Sequence, residues 1–364
     1  MVCIKNRVDK PAQSRYSCSI LQYFTDSRPP LREAPAVRRV GERALKISEA
    51  SDKGKTLSLR PFGPPPSQRE AFKKHREGER IFMKAVLIPG DGIGREIAES
   101  VRAVSAALNT GIDWQECEAG AEYAEVSGEL IAPGTLDAIE ECGWALKGPT
   151  ATPIGKGFRS INVQLRQRFA TYANLRPVHT LPGVPTRFEN VDLVIVRENT
   201  EDLYKGIEYM LTDEIANGVK LITRPACEKI CRFAFDYARK NGRKKVTAVH
   251  KANIMKLTDG LFLRTFREVA EDYPEITADD CIIDALCMKL VQKPEQFDVL
   301  VAPNLYGDII SDLCAGLVGG LGFAPSANIG DKTRIYEAVH GSAPDIAGQN
   351  KANPSAILMA FAMM

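Results

Sequence analysis

Short apolar runs separated by amphipathic helical stretches constrain the fold of this 364-residue chain more than any other feature of its sequence. Residues 85–88, 192–196, 246–249 and 298–302 are apolar runs of strand length. A helical stretch follows the first run at 95–108, with its apolar side chains on one face. Strands that alternate with helices indicate an α/β fold with a largely parallel core sheet.

Polar residues lie directly after three of these predicted strands. Arg197 follows the second run, Lys251 follows the third, and the polar segment 304–312 follows the fourth. Ligands of open α/β sheets bind at the edge formed by the carboxyl ends of the strands. The pattern therefore predicts an enzyme site at that edge.

The glycine-rich segment 90–94 follows a predicted strand and opens a helix, as a dinucleotide-binding loop does. The dinucleotide fingerprint, G-x-G-x-x-G, requires its third glycine at position 95, where this chain has Arg95. No acidic strand end follows at the expected distance. The segment therefore favours a structural loop over a conventional Rossmann fold.

Asp308 and Asp312 are four residues apart, so they share one face of a predicted helix. Oxygen ligands of this kind suit Mg²⁺ or Mn²⁺. Acidic pairs at this spacing usually lie on a solvated face, but the neighbours Ile309, Ile310 and Leu313 indicate a mostly buried segment. Buried carboxylates need a cationic partner, which favours a metal ion or basic side chains.

Three arginines, Arg166, Arg176 and Arg197, can bind the carboxylates of a small polyanion in bidentate fashion. A single arginine is more often an ordinary surface residue than part of a site, but the position of these three beside strand ends and the acidic pair favours a site. Lys251, at the end of an apolar strand, is either a proton-transfer group or a lysine that extends from the strand end into solvent. The small residues around His340–Gly348 allow a flat polar ligand to approach the backbone.

Charge and apolar patterning exclude two classes of partner for the main body. Residues 1–82 carry 18 Lys and Arg against 9 Asp and Glu, whereas the remainder carries 30 against 37. A nucleic-acid partner can therefore be argued only for residues 1–82. This segment lacks periodicity and is predicted to be a disordered extension ahead of Met83.

No apolar run approaches the roughly 20 residues of a membrane span, and Cys227 and Cys231 are predicted to be buried free thiols.

Six longer segments resemble the motifs of one known family. They read IPGDGIG, YANLRP, RENTEDLY, VHKANIMK, NLYGDIISD and HGSAPDIAG, and they resemble the β-decarboxylating dehydrogenases of isocitrate, isopropylmalate and homoisocitrate. The resemblance runs from Met83 to Met364. It implies that family's α/β fold, in which two lobes share a large sheet across a discontinuous domain.

The same resemblance implies domain boundaries and an assembly. Residues 83–171 and 319–364 would form the large domain, and residues 172–318 the small domain. The last part is expected to be incomplete, because the chain stops inside a helix that family members complete. The segment near 204–223 resembles the arm that clasps a second subunit, so a homodimer or a higher oligomer with shared active sites is expected.

The family's residue roles carry over by position. The substrate residues would be Ser160, Asn162, Arg166, Arg176 and Arg197. The metal ligands for Mg²⁺ or Mn²⁺ would be Asp308 and Asp312, with Asp284 from the neighbouring subunit. Proton transfers would be carried out by Tyr204 and by Lys251, the latter also from the neighbouring subunit. The NAD-binding residues would be Thr152, His340, Gly341, Ala343, Asp345, Ile346 and Asn353.

Two positions point to the substrate and the cofactor within this family. Ser160 is small and can donate a hydrogen bond to a third carboxylate, which fits isocitrate, and homoisocitrate and 3-isopropylmalate are the alternatives. Asp345 can accept hydrogen bonds from the ribose hydroxyls of NAD and repels the 2′-phosphate of NADP. The implied reaction is metal-assisted oxidative decarboxylation of isocitrate to 2-oxoglutarate. A non-catalytic regulatory subunit is a further alternative, and a cytoplasmic location is expected, with the mitochondrial matrix as its alternative.

Overall fold

The computed structural model describes residues 83–151 and 160–364, so residues 1–82 and Thr152 lie outside the described residues. Twelve strands occur in the described ranges, numbered along the chain: β1 Met83–Ile88, β2 Ile112–Glu116, β3 Trp144–Lys147, β4 Ala173–His179, β5 Asp192–Glu198, β6 Glu208–Thr212, β7 Ile215–Gly218, β8 Lys245–His250, β9 Thr277–Ile282, β10 Val299–Ala302, β11 Pro325–Ile329 and β12 Arg334–Ala338. The α-helices of the same ranges are α1 Gly94–Leu108, α2 Ala121–Ser127, α3 Thr135–Cys142, α4 Ile161–Arg168, α5 Arg224–Lys240, α6 Thr258–Ala270, α7 Ile283–Gln292, α8 Asn304–Leu317 and α9 Ser355–Met363.

Ten of the strands form one sheet in the order β2-β1-β3-β12-β11-β4-β5-β10-β8-β9. The four apolar runs of the sequence correspond to β1, β5, β8 and β10, so these predicted strands are confirmed. Most neighbouring strands are parallel, as predicted. The centre differs, because β11 is antiparallel to both β12 and β4, and β4 is antiparallel to β5.

Two hydrophobic clusters cover different strands of the sheet. One contains Val86, Ile88 and Ala145 of β1 and β3, together with side chains of α3 and α4. The other contains residues of β4, β5, β8 and β10 packed against α7 and α8. The domain boundaries at 171 and 318 stay a prediction.

Helix α5 shows how the local sequence sets an element. Thr223 caps its N-terminus by accepting a hydrogen bond from Ala226 N, and a proline follows in the first turn. Cys227 and Cys231 lie on the buried face, where burial raises the pKa of both thiols. The prediction of buried thiols is therefore confirmed. In the ranges described, no helix has the length and apolarity of a membrane span.

Strands β6 and β7 form a separate antiparallel hairpin inside the predicted clasp segment 204–223. Its apolar side chains are exposed in the single chain: Tyr209 is 52% exposed, Met210 59% and Ile215 51%. Exposed apolar side chains on a hairpin are expected where another chain covers them. Residues 181–185, between β4 and β5, form a turn of their own, in which Val184 N donates a hydrogen bond to Leu181 O.

Candidate active site

The site forms where strand β5 ends against the first turns of helix α8. Arg197 is the next-to-last residue of β5, and its side chain is only 1% exposed. Helix α8 begins at Asn304, just after β10, which is the parallel neighbour of β5. A Cβ atom on Gly307 would lie only 2.5 Å from Cγ of Arg197. The glycine of the NLYGDIISD motif therefore allows the helix to pack directly against the buried arginine.

Asp308 connects Arg197 to Tyr204. Nη1 of Arg197 donates to Oδ1 of Asp308, and the Tyr204 hydroxyl donates to Oδ2. The guanidinium carbon of Arg197 also lies 5.0 Å from the centre of the Tyr204 ring. Burial and the hydrogen bond to Asp308 raise the pKa of Tyr204, so its hydroxyl keeps its proton. A protonated phenol held in this way can act as a general acid.

Asp308 and Asp312 lie one turn apart on α8 and face Arg176 of β4. The guanidinium nitrogens of Arg176 are 3.6 Å from Oδ1 of Asp308 and 3.5 Å from Oδ1 of Asp312. Burial alone would raise the pKa of Asp308, but Arg197, the Tyr204 hydroxyl and Arg176 lower it. For Asp312 burial prevails, and its pKa is raised although Arg176 opposes the change.

The two carboxylates of α8 fit a divalent cation. They are hard oxygen donors on one helical face, and the raised pKa of Asp312 means that the protein alone does not compensate its charge. In the described part of the chain, no group of three His, Cys, Asp or Glu side chains is close enough to hold a metal. Within that part, a single chain offers the two carboxylates Asp308 and Asp312.

Lys251 and Asp284, the two residues expected to serve a neighbouring subunit, form a pair of their own. Lys251 follows β8, and its Nζ contacts Oδ1 of Asp284 in the first turn of α7. The hydrogen bond from Lys251 lowers the pKa of Asp284, whose side chain is 69% exposed. Across residues 83–151 and 160–364, no hydrogen bond or ion pair joins this pair to Asp308 or Asp312.

Helix α4 carries two of the predicted substrate residues, and a third precedes it. Asn162 and Arg166 lie one turn apart and line the same narrow cleft. Oδ1 of Asn162 is buried and has no hydrogen-bond partner among the described residues, which is unusual for a buried polar atom. Ser160 comes directly before the helix, where it is exposed, and it is not among the residues that line this cleft.

A buried ion pair closes the cleft behind Arg166. Nζ of Lys147 lies 2.9 Å from Oε2 of Glu337, and both side chains are almost fully buried. Nη2 of Arg166 is 3.7 Å from Oε1 of the same carboxylate. Burial alone would raise the pKa of Glu337, but Lys147, Arg166 and a hydrogen bond from Asn328 lower it to about 2. Glu337 therefore stays charged at neutral pH.

A cleft of about 230 Å³ gathers most of the predicted cofactor residues. Its lining residues are Ile93, Gly322, His340, Gly341, Ala343, Ile346, Lys351, Ala352 and Asn353. Burial lowers the pKa of His340, so its ring is neutral at neutral pH. Its Nε2 is buried and has no hydrogen-bond partner within the described ranges. Asp345 lies in the adjoining 3₁₀ turn Pro344–Ile346, where it is exposed and lies outside this lining.

The glycine-rich loop after β1 packs against the loop that carries the cofactor residues. Ile93 N donates to Ser342 O at 2.9 Å. Gly92 has a φ of +57°, and a Cβ there would lie 2.1 Å from the same oxygen. Asp91 anchors the loop by accepting hydrogen bonds from the backbone N–H groups of Ala121, Glu122 and Ala151. The segment is a structural loop, as the sequence predicts, and through Ile93 it also lines the cleft.

Comparison with known proteins identifies the family. The sequence model of the protein family described as isocitrate/isopropylmalate dehydrogenase matches residues 84–364. The chain belongs to this family. Its relatives include isocitrate dehydrogenase [NAD] catalytic subunit 5, mitochondrial, of Arabidopsis thaliana, which is 54% identical over 281 residues, 77% of this chain and 75% of the relative. A mitochondrial regulatory subunit of NAD isocitrate dehydrogenase from Dictyostelium discoideum is 52% identical, with 78% of each chain covered.

A solved member of the isocitrate/isopropylmalate dehydrogenase family has the same architecture. The crystal structure of isocitrate dehydrogenase from Methylococcus capsulatus superposes with a TM-score of 0.75 at 51% identity, over 78% of this chain and 84% of that one. The predicted fold, an α/β sheet of this family rather than a conventional Rossmann fold, is therefore confirmed. The chain is thus a member of an oxidoreductase family.

Two buried charges of this dehydrogenase site, Lys147 and Glu337, were missed by the sequence reasoning. Lys147 ends strand β3, so the rule that polar residues after apolar strands form the site could have found it. Glu337 interrupts the buried strand β12, which is an unusual position for a charge. They oppose each other in the parallel register of β3 and β12, and this pairing becomes visible only in the folded sheet.

Proposed function

We propose that the chain catalyses the NAD⁺-dependent oxidative decarboxylation of isocitrate to 2-oxoglutarate and CO₂. One observation carries the proposal: two buried arginines, Arg176 and Arg197, contact the acidic pair of α8 beside the phenol of Tyr204, and a third, Arg166, interacts electrostatically with Asp308. A buried group of cations calls for a polyanionic ligand, and isocitrate carries three carboxylates. Nη2 of Arg197, buried without a hydrogen-bond partner among the described residues, is one donor available to it.

The residues of this chain would bind the substrate and move its protons. Arg166, Arg176 and Arg197 would hold the carboxylates, which fixes the substrate relative to Tyr204. The Tyr204 hydroxyl keeps its proton beside Asp308, so it is suited to protonate the carbon that loses CO₂. Lys251, from a neighbouring subunit, would accept the proton of the substrate hydroxyl during hydride transfer.

Mg²⁺ or Mn²⁺ would be held by Asp308 and Asp312, and Asp284 of a second chain would be the third carboxylate. When bound, the ion polarises the oxygens of the reacting carbon centre and stabilises the negative charge that develops there. The chain's own contribution is the orientation of the two helical carboxylates by Arg176 and Arg197.

NAD⁺ is the proposed hydride acceptor, held in the cleft lined by His340 and Asn353. Exchange of Asp345 and Ile346 for Lys and Tyr is expected to lower kcat/KM with NAD⁺ and raise it with NADP⁺, each by about tenfold or more, because the carboxylate repels a 2′-phosphate. The matched control is Asp331→Lys, another exposed acid in the turn between β11 and β12. An unchanged cofactor preference in the double variant would refute this role of Asp345.

The assembly is proposed to contain at least two copies with shared sites. The exposed apolar hairpin β6–β7 is suited to contact a second chain, and the separate pair of Lys251 and Asp284 is suited to complete another chain's site. The partner is proposed to be a second copy or a related chain, since the relatives include both a catalytic and a regulatory subunit. Both relatives are named mitochondrial, which supports a mitochondrial location over the cytoplasmic expectation.

Two alternatives follow from specific observations. The matching family includes isopropylmalate dehydrogenases, so 3-isopropylmalate, together with homoisocitrate, is an alternative substrate. A regulatory subunit is the second alternative, because one relative at 52% identity carries that name. The candidate residues Arg166, Arg176, Arg197, Tyr204 and Asp308 all lie in one connected site here, which favours catalysis.

The experiment is NADH formation by the purified protein with Mn²⁺ and each of the three acids, with NADP⁺ as the cofactor control. Turnover with isocitrate and NAD⁺ supports the proposal. Turnover with another of the three acids instead would identify that acid as the substrate and leave the proposed reaction class, oxidative decarboxylation, unchanged. Absence of turnover together with retained isocitrate binding favours the regulatory role. The Asp312→Asn variant serves as the catalytically impaired reference.

A further inference from the structure

Each of the three arginines of the site is held by one buried asparagine. Nε of Arg166 donates to Oδ1 of Asn328 at 3.2 Å, and Nε of Arg176 donates to Oδ1 of Asn174 at 2.6 Å. Nε of Arg197 donates to Oδ1 of Asn304 at 2.9 Å. These asparagines come from β11, β4 and α8, and their exposed fractions are 3%, 0% and 1%. The same contact therefore occurs three times in unrelated parts of the sequence.

A hydrogen bond to Nε fixes the plane of a guanidinium group and leaves its two terminal nitrogens for other partners. An aspartate could hold Nε equally well, but its charge would cancel that of the arginine. An amide oxygen orients the group and leaves its positive charge in place. Nη2 of Arg197, buried and without a hydrogen-bond partner in the described residues, is a donor left over in this way.

The arginine cluster keeps a net positive charge. Four cations, Arg166, Arg176, Arg197 and Lys147, face three carboxylates, Glu337, Asp308 and Asp312. Burial lowers the pKa of Arg166, against the opposing effect of Glu337. Mutual repulsion of this kind is relieved when a polyanion binds.

The asparagines also couple two of the arginines. Oδ1 of Asn328 accepts hydrogen bonds from Nδ2 of Asn174 and from Nδ2 of Asn199, each at 2.9 Å. Nδ2 of Asn328 donates to Oε1 of Glu337 at 2.7 Å. The orientations of Arg166 and Arg176 therefore depend on one amide network that lies behind the substrate side of the site.

We propose that Asn174, Asn304 and Asn328 are positioning residues that aim the three arginines and, because they are uncharged, preserve the positive charge that selects a substrate with three carboxylates. The inference rests on the proposed function for the identity of the substrate. The three asparagines act through the arginines and are not proposed to touch the substrate themselves.

The test uses Asn304→Ala, which removes the orienting oxygen, and Asn304→Asp, which keeps an oxygen and adds a charge. We expect the isocitrate KM to rise about fivefold in Asn304→Ala, the effect of one lost hydrogen bond. In Asn304→Asp it should rise by at least about tenfold, because the added charge also cancels that of Arg197. The NAD⁺ KM should change little, because Asn304 and Arg197 are not among the residues that line the cofactor cleft.

The matched control is Asn241→Asp, at the C-terminal end of α5, where the side chain donates to Tyr237 O and touches no arginine of the site. Thermal midpoints are measured for every variant. If the Asn304 variants fail to fold, the same pair of changes is made at Asn174, which holds Arg176. An isocitrate KM within twofold of the wild type in the aspartate variant overturns the proposal, as does a loss of thermal stability with unchanged KM values.

A second readout separates this proposal from the proposed function. Stabilisation by citrate, a non-reacting tricarboxylate, is measured by thermal shift in the wild type and in both variants. If the wild type turns over none of the three acids but citrate stabilises it more than it stabilises Asn304→Asp, the positioning role stands and the proposed reaction falls. If the wild type turns over one of the acids and citrate stabilises the wild type and both variants equally, the proposed reaction class stands and the positioning role falls. If the wild type shows no turnover of any of the three acids and no stabilisation by citrate, both the proposed reaction and the positioning role are overturned.

Discussion

Replacing Glu337 with Gln removes the carboxylate that pairs with Lys147 in the described part of the chain and leaves that lysine buried at 2% exposure. The change is nearly isosteric, so its effect reports the charge rather than the packing. Asn328 and Arg166, the other neighbours of this carboxylate, stay in place. We expect a folded but clearly less stable protein.

The magnitude follows from the pKa of Glu337, which moves from the ordinary 4.5 to about 2 in the folded chain. At 1.36 kcal/mol per pKa unit, this corresponds to about 3 kcal/mol of the free energy of unfolding. Loss of one partner of a buried ion pair costs a similar amount, about 3–5 kcal/mol. Because the folded-state pKa is the lower one, this stabilisation is present above about pH 4.5 and is lost as the pH falls toward 2.

The assay is urea denaturation of the wild type and of Glu337→Gln between pH 7 and pH 3.5. The difference in the free energy of unfolding should be about 3 kcal/mol at pH 7 and should narrow by roughly 1.4 kcal/mol per pH unit below about pH 4.5. The double variant Lys147→Met, Glu337→Gln should recover much of the loss, because no buried charge is then left unpaired. A difference that does not depend on pH, or a double variant less stable than the single one, would refute the reasoning.

Three further predictions concern the site itself. Gly307→Ala should raise the isocitrate KM by at least about tenfold in steady-state kinetics, because the new Cβ displaces Arg197; an unchanged KM would mean that the helix moves instead. Tyr204→Phe should lower kcat about 100-fold with little change in the thermal midpoint, and near-normal turnover would exclude the phenol as the acid. Treatment with EDTA should abolish NADH formation and excess Mn²⁺ should restore it; activity that persists in EDTA would show that Asp308 and Asp312 hold no essential metal.

The sequence predicted the strands well because each apolar run is flanked by polar residues, and three of the runs lead directly into a residue of the candidate site. It could not predict that β11 and β4 run antiparallel in the middle of the sheet, since pairing between distant segments leaves no local pattern. The same limit explains why the pair of Lys147 and Glu337 was missed. Their register depends on β3 and β12 becoming neighbours across 190 positions.

The candidate site residues could be predicted from the sequence because their motifs are long. Arg176 and Asn174 are two positions apart on one strand, so their side chains share a face, and that contact could have been predicted from the period of a strand. The contacts of Arg166 with Asn328 and of Arg197 with Asn304 span more than 100 positions, and nothing local indicates them. The roles of Asp284 and Lys251 in the site stay a prediction, because they depend on a second chain.

The order of strands in the large sheet has a consequence for how the chain reaches its native state. Strands β11 and β12 lie between β3 and β4, although the ribosome makes them after every other strand of the sheet. During synthesis, the segments on either side can each collapse locally, but the edges of β3 and β4 stay uncovered until residue 338 has emerged. Such late, long-range closure makes folding slow and leaves nascent chains prone to pair with one another, so the yield of native enzyme should depend on temperature and on chaperones during translation.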